Sequence, residues 1–263
     1  MKKTFGIFGT GYLSSIVASA WKNGLLEDWD LVGVYGRNER NNELYAREFG
    51  VKVCSSIDEL IALKPDYITE AASVAGMKEC AEKIVGAGIS MVIISIGSFA
   101  DREFLGRIRK TARENGAQVT CACGAVGGFD VLKTLSLMGA KEFSFKGQKH
   151  PARLLGTAIA NDHMMTDTEP SAAFHGTTTE AIKILPHQVN VAVASALASV
   201  GPDNTDMTIE TVPGFVGDEY TLKTSTPDGK NWTEIEIYSA NSDIAGWSIV
   251  AAMRNITDPV AFF

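Results

Sequence analysis

No stretch of the chain approaches the roughly 18 consecutive apolar positions that a membrane-spanning helix needs. Basic charge is scarce as well. Lys and Arg number 24 against 31 Asp and Glu, a net charge of −7, which argues against a nucleic-acid or anionic-membrane surface. Any basic patch is therefore local and aimed at a small anion. Four cysteines in 263 residues make no disulfide framework. Cys121-Ala122-Cys123 resembles a metal pair, but metal ligands are usually spaced more widely and no second Cys or His pair follows nearby, so these two are expected to be buried small hydrophobes and no metal is expected. Low hydrophobicity is absent too: 45% hydrophobic against 21% charged residues excludes a disordered chain. Met1-Lys2-Lys3-Thr4-Phe5-Gly6-Ile7-Phe8-Gly9 places basic residues before an apolar run. The run breaks at Gly9 without a small-residue cleavage site, so it reads as a first strand and the protein as cytoplasmic.

What is present is rhythm. Apolar runs at Thr4–Phe8, Leu31–Tyr35, Val51–Cys54, Tyr67–Ala71 and Met91–Ile96 read as strands. Helical patterns at 12–23, 39–49, 57–63, 75–86 and 101–115 alternate with them. Runs apolar throughout, such as Met91-Val92-Ile93-Ile94, suit a parallel sheet covered on both faces, so residues 1–120 are expected to form a doubly wound α/β domain. After Gly124 the pattern changes. Helices are expected at 130–138 and 189–200, and strands at 142–146, 207–212, 220–226 and 231–239, the last two joined by Pro227-Asp228-Gly229-Lys230. This describes an α+β domain over 121–240 with a mixed or antiparallel sheet. A final helix within 241–263 is expected to pack back on the first domain.

Gly9-Thr10-Gly11-Tyr12-Leu13-Ser14 follows the first strand and opens the first helix. Gly9 permits a tight turn, and Gly11 lets backbone N–H groups approach a pyrophosphate at the positive helix end, so a dinucleotide is expected here, with Tyr12 and Leu13 beside it. Ser14 stands where a third glycine is usual. The second strand ends Val34-Tyr35-Gly36-Arg37-Asn38, with glycine where NAD sites carry an acid for the ribose 2′-OH. A missing acid followed by Arg37 favours the 2′-phosphate of NADP, with NAD as the alternative.

Further segments, in order along nearly the whole chain, resemble the L-aspartate dehydrogenase family. They are Thr69-Glu70-Ala71-Ala72-Ser73, Ser95-Ile96-Gly97-Ser98-Phe99-Ala100-Asp101 and Gly124-Ala125-Val126-Gly127-Gly128-Phe129-Asp130. Lys149-His150-Pro151, Phe174-His175-Gly176 with Glu180-Ala181, and Pro186-His187-Gln188-Val189-Asn190-Val191-Ala192 continue the series. The resemblance implies a two-domain, Rossmann-type protein that couples NADP or NAD to oxidation of L-aspartate to iminosuccinate, or to the reverse amination. It implies cofactor contacts at Ala71, Ala72 and Ser73 and, at an interdomain cleft, near the nicotinamide, at Ala125 and Asn190. By analogy it implies a homodimer and a small-molecule substrate.

One departure is chemical. Where the family carries a His, the aligned stretch reads Asp218-Glu219-Tyr220-Thr221-Leu222, and no register supplies an imidazole. Tyr220 could serve as the acid if a cation lowered its pKa, and Lys149 is the cation nominated for that, as well as for carboxylate recognition. His163, His175 and His187 are substitutes from elsewhere, with His175 in the best context. Two alternatives stand beside the aspartate reading: a related reductase of a different substrate, and a dinucleotide-binding sensor without turnover.

Overall fold

The computed structural model describes residues 2–161, 163–186 and 189–262. The chain divides into two units, one formed by 1–124 with 243–263 and the other by 125–242.

The first unit alternates strands β1 (Lys3–Phe8), β2 (Trp29–Tyr35), β3 (Tyr67–Glu70), β4 (Ser90–Ile93) and β5 (Val119–Cys121) with helices α1 (Tyr12–Lys22), α2 (Glu39–Phe49), α3 (Ile57–Ala62), α4 (Val74–Gly86) and α5 (Arg102–Glu114). All strand pairs are parallel, in the order β2-β1-β3-β4-β5. Burial explains the continuous apolar runs: Phe5, Ile7, Ile68, Met91, Val92 and Ile93 are fully enclosed. Helix starts are fixed locally, because Asn38, Ser56, Ser73 and Asp101 each accept a first-turn backbone N–H on their side chains. α9 (Asp243–Thr257) belongs to this unit and lies on α1, where Gly246 approaches Ile16 and the Leu13 carbonyl. The Trp29 indole donates to the Met253 carbonyl at 3.2 Å, tying α9 to β2.

Two expected strands are corrected. Val51–Cys54 contributes only a single bridge, Val53 to Val34. The Met91–Ile96 run ends as a strand at Ile93, because the Ser95 N–H goes to the Glu70 carboxylate at 3.1 Å and a 3₁₀ turn over Ile96–Ala100 follows.

The second unit holds α6 (Phe129–Leu137), β6 (Phe143–Lys149), β7 (Ser171–Gly176), α7 (Thr178–Ile184), α8 (Asn190–Ala198), β8 (Thr205–Thr211), β9 (Asp218–Ser225) and β10 (Trp232–Ser239). Its sheet runs β10-β9-β6-β8-β7, with β6 and β8 parallel and the remaining pairs antiparallel. Alternation assigns the faces. Phe143, Phe145, Gly147 and Lys149 of β6 share the covered face with Tyr220 and Leu222 of β9 and Ile209 and Thr211 of β8. β7 and α7 lie outside the elements read from the pattern: a bulge between Ala172 and Phe174 breaks the alternation of β7, and α7 is a seven-residue helix opened by a Thr177–Glu180 capping box. The β9–β10 hairpin turns where expected: Asp228 accepts from the Thr226 hydroxyl and the Lys230 N–H, and Gly229 takes φ 67°. Among the described residues no helix is long and apolar enough to cross a membrane.

Candidate functional site

A candidate site in the first unit is a cleft of about 230 Å³ at the ends of β1, β2 and β3. In the order β2-β1-β3 the chain reverses direction at β1, and such a switch point leaves a crevice at the carboxyl ends of the strands. Gly9, Gly11, Arg37, Ala71, Ala72 and Ser73 line it; Tyr12 and Leu13 open α1 next to it, outside the lining. Gly9 holds φ 99°, and a Cβ there would sit 2.6 Å from the Ala71 carbonyl oxygen, so the turn admits glycine alone. Gly11 caps α1 without a side chain to offer, and a Cβ on it would meet open space. The N–H groups of that first turn, with the helix dipole behind them, suit a pyrophosphate. The Tyr45 hydroxyl donates to the Gly11 carbonyl at 3.1 Å and steadies the loop from α2. The Tyr12 phenol donates to Asp243 at 2.5 Å, and that contact raises its pKa.

Cofactor choice turns on the end of β2. A Cβ on Gly36 would lie 2.0 Å from Thr10 Oγ1, so an acid cannot stand there without displacing Thr10. Thr10 is itself fixed, its hydroxyl donating to Asn42 Oδ1 at 2.9 Å while the Asn42 amide donates to the Gly36 carbonyl at 2.9 Å. Arg37 is the one cation among the described residues that line the cleft. The loop after β3 is anchored from below by Glu70, which is fully buried and accepts from the Ala72 N–H at 2.8 Å and the Ser95 hydroxyl at 2.7 Å. Burial raises its pKa, and these hydrogen bonds oppose the rise. The residues present thus fit a dinucleotide.

A separate cluster of charged side chains lies in the second unit, at the C-terminal end of β6. Antiparallel register sets Lys149 opposite Asp218, with Nζ 3.7 Å from Asp218 Oδ1; the Arg153 guanidinium stands 3.9 Å from Oδ2. Burial pushes the Lys149 ammonium below the ordinary lysine range, and Asp218 works against that fall. Ala125 precedes α6 and Asn190 is the first residue of α8. Both are half-buried.

Two expected catalytic groups sit in settings unlike those the sequence reading supposed. Tyr220 does not have a lowered pKa: burial beside Phe145, then the Asp218 charge, push its phenol well up, so it stays protonated. His175 faces away. It pairs with Thr208, one register position off the covered face, is exposed, and lies 3.2 Å from Thr208 Oγ1 and 3.5 Å from Asp206. His163 is exposed in a loop, and His187 lies outside the described residues. Cys121 is exposed and Cys123 half-buried, because β5 ends the sheet and stops at Cys121. Among the described residues no group of three or more His, Cys, Asp or Glu is placed to hold a metal ion. Arg153 has no role in the sequence reading, Thr10 enters it only within the glycine loop, and Asp218 only within the stretch that replaces the family's His. Only pairing across 69 residues brings Asp218 to Lys149, and no local signal records it.

Residues 6–122 match a family model described as homoserine dehydrogenase, NAD binding domain, and residues 130–256 match one described as aspartate dehydrogenase, C-terminal. An L-aspartate dehydrogenase from Methanococcus maripaludis is 29% identical over 260 residues, 97% of each chain. One from Acinetobacter baumannii is 30% identical over 219 residues, 80% of this chain and 82% of its own. The crystal structure of aspartate dehydrogenase from Thermotoga maritima superposes with a TM-score of 0.78 at 24% identity, covering both chains fully. A homoserine dehydrogenase from Thiobacillus denitrificans gives 0.63 at 13% identity, covering 98% of this chain and 73% of its own. The chain belongs to the L-aspartate dehydrogenase family.

Proposed function

We propose that the protein is an NAD(P)-dependent dehydrogenase that interconverts an amino acid and its imino or keto acid, with L-aspartate as the specific substrate. The observation that carries this reading is similarity to proteins named L-aspartate dehydrogenase along 97% of both chains. When bound, the cofactor supplies or takes a hydride at the substrate α-carbon. The chain's own residues do the rest. The first turn of α1 binds the pyrophosphate, Arg37 takes the 2′-phosphate, and Ala125 with Asn190 orient the nicotinamide. Arg153 receives a substrate carboxylate. The proton moves at Lys149 Nζ, which gives it to the imine nitrogen in the reductive direction and takes one back in the oxidative direction, with water restoring the balance. Asp218 favours the charged form of that ammonium against its burial.

A second reading, a reductase of a different keto or imino acid, is favoured by Asp218, Glu219 and Tyr220 standing where the family's His is expected. The initial rate of NADPH oxidation with oxaloacetate, with and without ammonium and beside NADH, tests both. Ammonium-dependent turnover is the expected result. Turnover that ignores ammonium would favour a keto-acid reductase, and bound NADPH without turnover on oxaloacetate would sink the aspartate assignment.

A further inference from the structure

The rim of the nucleotide cleft carries a contact that the glycine loop does not explain. Thr10 excludes any side chain at position 36, so discrimination between a ribose 2′-OH and a 2′-phosphate falls to Arg37. That guanidinium is already engaged: its Nη2 donates to Glu79 Oε2. Glu79 belongs to α4, the helix whose cap, Ser73, lines the same cleft. Both side chains are more than half exposed, at 61% and 64%, so the pair is weak and opens readily.

We propose that Glu79 is a specificity-determining residue, which sets the preference between NADP and NAD by competing with the 2′-phosphate for Arg37. The inference rests on the nucleotide reading of the cleft given above. A 2′-phosphate, with a charge of about −1.5 to −2, offers the guanidinium a better bidentate partner than one carboxylate oxygen. To reach it, Arg37 must leave Glu79, and the Glu79 carboxylate then stands near the phosphate as a like charge. An uncharged 2′-OH meets neither obstacle. The wild-type protein therefore binds both dinucleotides, with a preference for NADP smaller than Arg37 alone would confer.

Fluorescence titration of NADPH and of NADH against the wild type, E79Q, R37Q and the double variant tests this by binding, without turnover. E79Q is expected to tighten NADPH roughly three- to tenfold and to leave NADH within about twofold. R37Q is expected to weaken NADPH by about tenfold and to reduce the gain from E79Q to less than about twofold. Equal NADPH affinity in E79Q and wild type would overturn the proposal. So would weaker NADPH binding in E79Q, which would make Glu79 a guide that presents Arg37 to the phosphate, and so would a parallel shift for NADH. If neither dinucleotide bound the wild type, the nucleotide reading itself would fall, an outcome distinct from all of these. Both substitutions lie on exposed side chains, and circular dichroism melts matching the wild type would confirm that they leave folding unchanged.

Discussion

Lys149 joins two demands that conflict at the level of a single residue. A buried ammonium costs stability, and Asp218 at 3.7 Å with a quarter of its own side chain exposed offsets only part of that cost. Burial lowers the pKa in the native state relative to the unfolded chain. Between the two values the unfolded chain binds more protons, so stability rises with pH across that window, and the burial penalty is present in full only below the lowered native value. Lys149→Met removes the buried charge and keeps the side chain's length. It is expected to melt within about 2 °C of the parent, or above it, while losing about 10²- to 10⁴-fold in turnover. In the reductive direction the wild-type rate falls as pH rises through the lowered lysine pKa, and Lys149→Met loses that limb. Calorimetry beside a pH–rate profile checks both halves; a large fall in melting temperature would show that the lysine is structural.

At the scale of elements, α1 has two tasks, presenting its N-terminus to the cleft and receiving α9 on its flank. Gly246 makes the second possible: a Cβ there would meet Ile16 Cδ1 at 2.7 Å and the Leu13 carbonyl at 3.0 Å. Gly246→Val is expected to cost about 2 kcal/mol of stability, roughly 4–8 °C in melting temperature, by forcing the helices apart. Because Leu13 lies in the first turn of α1, the same change is expected to weaken NADPH binding. A destabilised variant with unaltered NADPH affinity would show that the two ends of α1 are independent. Element type was largely legible in the sequence, since buried parallel strands need unbroken apolar runs and helices announce themselves by caps such as Asn38 and Ser73. Failures came where one contact overrode a pattern. Glu70 draws the Ser95 N–H out of β4's ladder, and the bulge in β7 hides its alternation. The glycine loop was legible because its residues are neighbours. The Lys149–Asp218 and Arg37–Glu79 pairs were not, because they form between elements whose adjacency is a property of the fold.

For the whole molecule, the two units have separate sheets, with the dinucleotide cleft in one and the Lys149 cluster in the other, and the proposed function asks both to serve one reaction. Amide hydrogen exchange can map that division, because bound ligand suppresses local opening where it touches. Adenosine 2′,5′-bisphosphate contains the half of the cofactor that Gly9–Leu13 and Arg37 are proposed to hold, and lacks nicotinamide. It is expected to protect amides in residues 9–15, 36–42 and 71–76 and to leave the second unit unchanged. Intact NADPH is expected to protect the same segments and, in addition, amides near Ala125 and the first turn of α8 at Asn190. The strands β9 and β10 beyond Tyr220 are expected to exchange alike with either ligand. If the bisphosphate protected Ala125 and Asn190 as fully as NADPH, their assignment to the nicotinamide would fail. If NADPH added nothing in the second unit, hydride chemistry beside Lys149 would have no cofactor to draw on. Protection in the second unit that appears with NADPH and not with the bisphosphate is the pattern the proposed function requires.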